Sequence, residues 1–488
     1  MSINLDHMEV EVRERRLHST LSYSGTACDL NEKSKLRQMS CKLRTYGQCG
    51  DCAEECAEAM TVLVQGAAIV SHAPIGCGTN ASVYNIIGRA GAKARNLKAH
   101  KVQIISTNLR EEDTVYGGEE KLRKAIMEAD TRFKPALIFI QGSCASGIIG
   151  EDLESVADEM QEELGYPILP VYCEGFKSRI WSSGFDAVFH SVLRRLVRPP
   201  RKKQEDLVNV FNFAGSDTFI PLLGKLSLRA NCLFAYATVE QLATMSEAAC
   251  STHVCETLST YVTAVLEEQY GVPEVKASAP FGIDWTDQWL REIARITGRE
   301  ALAEQVIRGE HERIRHELEE IRAKLKGKRV YIYAGDAFAH NMANVAKDLG
   351  LELIGITTLH HDQHLDGNRM STLDAVLKNS GDIKNYSICN KQPYQVIKLL
   401  KNIKPDLLIV RHINLTVLGT KLGIPTLFEG DVNYSLGYDG VIKLGRRFCE
   451  AILTKKLLEN IADNVKFPYS SWWMEQKNPF CFEGENEE

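Results

Sequence analysis

Three cysteines set among small residues are the positions whose type and surroundings could do chemistry: Cys52 in CGDCAEEC, Cys77 in SHAPIGCG and Cys144 in QGSCASG. Thiolate is the soft, anionic ligand that holds iron in sulfide clusters, and small neighbours let a bulky inorganic group approach the backbone. Gly76 and Gly78 are expected to give that clearance at Cys77, and Ser143 and Gly147 near Cys144. The spacings, 25 residues from Cys52 to Cys77 and 67 from Cys77 to Cys144, are too wide for a ferredoxin run, so the fold must gather the ligands. The plainer reading of any one of the 14 cysteines is a small buried hydrophobe. Cys28 and Cys41 are read as simple thiols.

The elements that must position these residues follow from periodicity. Between about Cys49 and Arg201, apolar strands alternate with amphipathic helices: KVQIIST, GGEEKLRKAIMEADTRF, ALIFIQG, EDLESVADEMQEELG and PILPVYC. That alternation predicts an α/β fold with parallel sheets flanked by helices and functional loops at the strand carboxyl ends. The length predicts about three such domains. We divide the chain into an N-terminal arm (1–41), expected to pack on a partner or stay partly mobile, and units at 42–205, 206–327 and 328–488. The basic tract Arg194–Lys203, broken by Pro199-Pro200, reads as a solvated linker. The charged stretch from Ile283 to Lys326 reads as a solvent-laced helical connector. Gly335, in a strand–loop–helix, lacks the full glycine fingerprint of a nucleotide site. His360, His361 and His364 read as solvated loop residues, and the paired Trp472 and Trp473 as a partner contact beside a tail carrying Cys481.

With 44% hydrophobic and 25% charged residues and a net charge of −6, the composition is that of an ordinary soluble protein without a broad basic field for nucleic acid. No apolar run approaches the roughly 20 residues of a membrane helix. A cytoplasmic location is expected, where many cysteines favour metal ligation over disulfides.

The segments SHAPIGCG, QGSCASGIIGEDLESV, VYCEGFKS, CETLSTYVTAVLEEQYGVP and KLGIPTLFEGDVNYSLGYDG occur in the order found in the nitrogenase component 1 α-subunit, and the resemblance runs from about residue 45 to 455. It implies three Rossmann-like domains. It also implies that Cys52, Cys77 and Cys144 ligate half of an interfacial cluster, of the 8Fe-7S or 4Fe-4S kind, shared with a homologous β-subunit in an α2β2 assembly. Cys49 and Cys56 are the neighbours that one loop residue more or fewer would substitute for Cys52. Cys255 corresponds to the cysteine that anchors one end of the active-site cofactor, and its place at a helix start suits a thiolate. Cys250 and His253 are read as pocket lining at best, and His361 falls where the family lines that pocket.

The departures from the family pattern weigh more than the matches. Gly430 stands where the family has the histidine holding the far end of its cofactor, Phe185 where it has a proton-delivering histidine, and Trp181 where it has a glutamine. Asn85 replaces an arginine, and Asn414 a lysine that helps hold homocitrate. The resemblance therefore implies a large iron–sulfur–carbide cofactor without heterometal or homocitrate, in a roomier and more apolar pocket with Trp181, Phe185 and His361 as candidate pocket residues. The expected function is that of a nitrogenase-like reductase of the methylthio-alkane reductase type. Such an enzyme cleaves a carbon–sulfur bond in a small organic sulfur compound for sulfur salvage, with electrons from an ATP-dependent iron–sulfur protein. The alternative is a non-catalytic scaffold for maturation of a nitrogenase-type cofactor. Tetrapyrrole-type reductases are disfavoured because they have no cofactor needing Cys255.

Overall fold

The computed structural model describes residues 3–39, 52–98, 101–213, 218–369, 371–389, 393–411, 415–430 and 435–475. Cys41, Cys49, Asn414 and Cys481 lie outside them. The strands, in chain order, are β1 (Ser22–Gly25), β2 (Ala67–His72), β3 (Ile104–Ser106), β4 (Leu137–Gly142), β5 (Ile168–Val171), β6 (Gln204–Asn212), β7 (Arg229–Phe234), β8 (Ala248–His253), β9 (Arg329–Ala334), β10 (Glu352–Thr358), β11 (Tyr386–Cys389), β12 (Leu407–Val410) and β13 (Thr426–Phe428).

They form three sheets, ordered β3-β2-β4-β5, β7-β6-β8 and β1-β11-β10-β9-β12-β13. Among the described strands every pairing is parallel except that of β1 with β11, so the expected α/β architecture is the one observed. Period-two alternation explains why the strands read as unbroken apolar runs. In β4, Leu137 and Phe139 join one hydrophobic layer while Ile138 and Ile140 join the opposite one. In β9, Val330 and Ile332 face the main core, and Tyr331 and Tyr333 face a second cluster with Leu408 and Val410.

The N-terminal segment departs from expectation. Its polar composition suggested an arm on a partner, but Leu17, Leu21 and Leu30 are buried against the chain itself, and Ser22–Gly25 extends the third sheet. The charges are used internally. Arg13 is 0% exposed; its Nε and Nη2 donate to the two Asp186 carboxylate oxygens at 2.7 Å each. Nη2 also donates to the Thr257 carbonyl at 2.6 Å, and Nη1 to Asp362 at 3.3 Å. Arg16 adds ion pairs to Asp186 and Asp366.

The stretch expected as a solvated connector differs too. Its first helix, Ile283–Thr297, buries Trp285 and Trp289 in the main core. Only the second, Glu300–Leu325, is a long charged helix with a single buried stripe through Ile307, Ile314, Leu318 and Ile321. Arg194 and Arg195 of the basic tract end the helix Ser183–Arg195 and pair with Glu154. Trp472 is exposed, and Lys398 lies over the Trp473 ring.

Candidate metal centres

Cys52, Cys77 and Cys144 come together at the carboxyl end of the first sheet. Cys52 is the N-cap of the helix Ala53–Thr61, in extended backbone conformation. Cys77 sits in the short helical turn Ile75–Asn80 that follows β2. Cys144 opens the helix Cys144–Ile149 after β4. Ser143 caps that helix: its hydroxyl accepts from the Ser146 N–H, and the Ser146 hydroxyl accepts from the Ser143 N–H. Adjacent parallel strands thus deliver two of the cysteines from the loops where such sheets carry function.

The floor between the thiols is Gly175, in the loop after β5. A Cβ placed there would lie 2.8 Å from Cys52 Cβ, 3.2 Å from Cys52 Sγ and 3.5 Å from Cys144 Sγ. Both sulfurs therefore overhang one bare stretch of backbone, the cradle that a bulky cluster requires. Gly147 plays another part than expected: it lets Glu174 and Phe176 pack close, with a built Cβ only 2.8 Å from Glu174 Cγ. Gly76 and Gly78 face open space. Cys56 is buried against Gly184 between two helices and is a packing residue. Among the described residues no three His, Cys, Asp or Glu side chains converge on a single ion; three thiols spread over a cradle suit a polynuclear group instead.

The electrostatics favour the protonated form of two of the three thiols. Burial pushes the Cys52 thiol up, against the first-turn amides of Glu54 and Glu55, which lower it. The Cys77 thiol is pushed up to about 12, by burial first and then by the Glu54 carboxylate, to which it is hydrogen-bonded. A metal held there would have to displace thiol protons. Ile75, Ile148 and Phe176, 65%, 75% and 54% exposed, surround the cysteines with apolar surface.

Behind the cradle, Glu58 is buried and its Oε1 has no hydrogen-bond partner among the described residues. Burial, then the charges of Glu54 and Glu55, push its carboxyl up to about 7. The folded protein thus holds the proton more tightly than the unfolded chain, so stability is lost as pH rises through the window from 4.5 to about 7. Glu58→Gln removes that cost and is expected to stabilise the metal-free protein by about 2 kcal/mol at pH 8 and by almost nothing near pH 4. Urea unfolding of both proteins at the two pH values checks it, and equal gains at both would refute the titration argument.

The second centre lies where the other two sheets meet. Cys255 is the N-cap of the helix Glu256–Tyr270, just beyond β8, and is 5% exposed. Burial pushes its thiol up, and Arg411, immediately after β12, acts most strongly in the opposite direction, followed by the Thr257 hydroxyl and the amides of Thr257 and Leu258. The Arg411 guanidinium lies 4.6 Å from the Phe213 ring centroid and 5.2 Å from that of Phe338. Phe213 meets Phe185 at 5.6 Å, Phe185 meets Trp181 edge-on at 5.2 Å, and Trp181 meets His360 at 6.4 Å. An aromatic wall thus runs from Cys255 and its cation to His360. Gly430 has no room for a side chain as packed, since a Cβ there would lie 2.4 Å from the Phe428 ring and 3.2 Å from the Arg411 carbonyl oxygen.

His360 and His361 are buried and His364 is half-buried, contrary to the reading of all three as solvated loop, and they have separate surroundings. His361 is consumed structurally: Nδ1 is 2.7 Å from Asp336 and Nε2 is 2.8 Å from the Ser34 hydroxyl. It does not belong to the wall of pocket residues. His253 is held 3.6 Å from Glu274 and beside Arg369, and Cys250 is core packing. Sequence reasoning misses Arg411, and it sets His360 aside with the other clustered histidines as solvated loop. Arg411 follows directly on the buried strand β12 and His360 comes two residues after β10, which is the available signal.

A family model described as nitrogenase component 1 type oxidoreductase matches residues 52–453. This chain belongs to that family. Within the nitrogenase component 1 family, it is 30% identical over 395 residues to the nitrogenase iron-molybdenum cofactor biosynthesis protein NifE of Methanococcus maripaludis, covering 78% of this chain and 79% of that protein. It is 27% identical to the nitrogenase molybdenum-iron protein alpha chain of Methanothermobacter thermautotrophicus, covering 91% and 96%. The solved structure of nitrogenase Cp1 at pH 5 superposes with a TM-score of 0.70 at 23% identity, covering 88% of this chain and 92% of that one, which shows the shared fold. No helix among the described residues is long and apolar enough to cross a membrane.

Proposed function

We propose that this chain is the catalytic subunit of a nitrogenase-like iron–sulfur reductase that cleaves a carbon–sulfur bond in small methylthio-alkanes. The observation that carries this reading is the pocket wall of Trp181, Phe185 and Phe213 beside a retained, buried Cys255. Cys255 would hold one end of an iron–sulfur cofactor without heterometal or homocitrate. Arg411 would offset the negative charge of thiolate and sulfides, because a cation in a low-dielectric pocket favours the thiolate. The aromatic rings exclude water and present apolar surface to an alkyl chain. Bound there, the cofactor would supply the electrons for a reduction in which two electrons and two protons convert a thioether to a hydrocarbon and a thiol. Cys52, Cys77 and Cys144 would hold half of an electron-relay cluster. The apolar fringe of Ile75, Ile148 and Phe176 fits a homologous β-subunit that supplies the other half, with an ATP-dependent iron protein as the electron source.

A maturation scaffold is the second reading, favoured by the similarity to NifE proteins. The burial of Cys255 supports a resident rather than a transiting cofactor. The two part in one experiment: anaerobic purification with co-purifying subunits, analysis for iron, molybdenum and vanadium, and an assay with a methylthio-alkane, ATP and the iron protein. High iron without heterometal together with hydrocarbon release is the expected result. High iron with no turnover, and transfer of the cofactor to an apo-acceptor, would replace the enzyme with the scaffold.

A further inference from the structure

The pocket holds an imidazole that the fold leaves unused. His360 is 1% exposed, and neither ring nitrogen has a hydrogen-bond partner among the described residues. Burying two polar ring atoms unpaired costs free energy that a packed protein ordinarily avoids, so the side chain calls for a partner that is not part of the chain. Its neighbour His361 has both ring nitrogens paired, with Asp336 and Ser34.

The surroundings say what kind of partner fits. Nε2 is 3.9 Å from Asp362 Oδ2, and that carboxylate is itself fixed by Arg13 and Ser19. An imidazole with one nitrogen toward a carboxylate and the other lone pair free is the usual arrangement of a metal-bound histidine. Burial holds the ring below its ordinary pKa, which keeps it neutral and the lone pair available. Further unpaired buried atoms belong to the same region: Trp181 Nε1, Ser182 Oγ next to it, and Asn341 Oδ1, whose amide nitrogen donates to the Val254 carbonyl beside Cys255. His360 stands beyond β10 and Cys255 beyond β8, so two different sheets bring these residues to opposite ends of one aromatic wall. The Gly430 position offers no side chain.

We propose that His360, through Nδ1, is the second protein ligand of the metal cofactor anchored by Cys255, with Asp362 orienting the ring from the Nε2 side. The proposal rests on the pocket being the seat of an iron–sulfur cofactor and is independent of the reaction performed there.

The test is pulsed EPR of the assembled protein, purified anaerobically with its partner subunits after growth on histidine labelled with 15N in the ring. Wild type is expected to show a 15N coupling on the pocket cofactor's paramagnetic signal. His360→Phe, which retains an aromatic ring against Trp181, is expected to lose the coupling while keeping the signal, and to lose cofactor iron to a chelator on the order of tenfold faster. His364→Ala, outside the wall, keeps the coupling. A wild-type cofactor signal without 15N coupling, or coupling that persists in His360→Phe, overturns the ligand assignment alone. If wild type and Cys255→Ala contain the same iron and neither shows a second cluster signal, the pocket holds no cofactor, and both the assignment and the reading beneath it fall.

Discussion

Gly175→Ala is expected to strip the three-cysteine centre of its metal, leaving less than about a tenth of the iron bound there, although the added group is a single methyl. The added Cβ would sit 2.8 Å from Cys52 Cβ and 3.2 Å from its sulfur, well inside van der Waals contact. Cys52 cannot yield cheaply, because it caps the helix Ala53–Thr61, which packs tightly enough on Gly184 that a Cβ there would lie 2.1 Å from the Ala53 carbonyl oxygen. Overpacking of this kind costs about 1–3 kcal/mol of folding stability, which a chain of this size tolerates, so the loss is expected at the metal rather than in expression. Iron analysis and the cluster's EPR signal, compared with Cys56→Ala as a packing control that keeps its iron, decide the matter. A Gly175→Ala protein with wild-type iron and spectrum would show that the two thiols do not share a cluster over this loop.

Arg13→Ala is expected to destabilise the protein by about 3–5 kcal/mol, the cost of leaving buried carboxylates without their cation. Asp186 retains Arg16, but Asp362 loses its guanidinium partner and the Thr257 carbonyl loses its donor. These positions are not arbitrary: Thr257 lies two residues beyond Cys255, and Asp362 two beyond His360. The same substitution should therefore loosen both ends of the pocket. Thermal unfolding with and without cofactor measures the first effect, and pocket iron retained through gel filtration the second. A shift below about 1 kcal/mol would mean that solvent or rearrangement replaces the lost cation.

Much of this was legible in the sequence. The α/β class follows from runs such as ALIFIQG alternating with amphipathic helices, because a parallel strand buried on both faces has no polar side to interrupt it. The three cysteines were legible through their small neighbours, although Gly175, the residue that makes the cradle, declared itself only in three dimensions. His360 and His361 show the limit. The two residues are adjacent, yet which one meets the Asp336 carboxylate and which the Trp181 ring depends on residues elsewhere in the chain. The N-terminal segment misled for a related reason: arginines are counted as solvated until their partners, here Asp186 and Asp362, are seen to be buried with them. Ile283–Thr297 reads as a connector because its charges are conspicuous, whereas Trp285 and Trp289 carry it into the core.

The docking of that N-terminal segment also sets an order of events in synthesis. Arg13 is made before all of its partners, its bonds reach across 173, 244 and 349 residues, and β1 pairs with a strand that ends at Cys389. Closing such loops carries an entropic cost that only finished partners repay. This segment is consequently fixed only after much later residues exist: the brace across the pocket cannot form before Asp362 has emerged, nor the β1 pairing before Cys389.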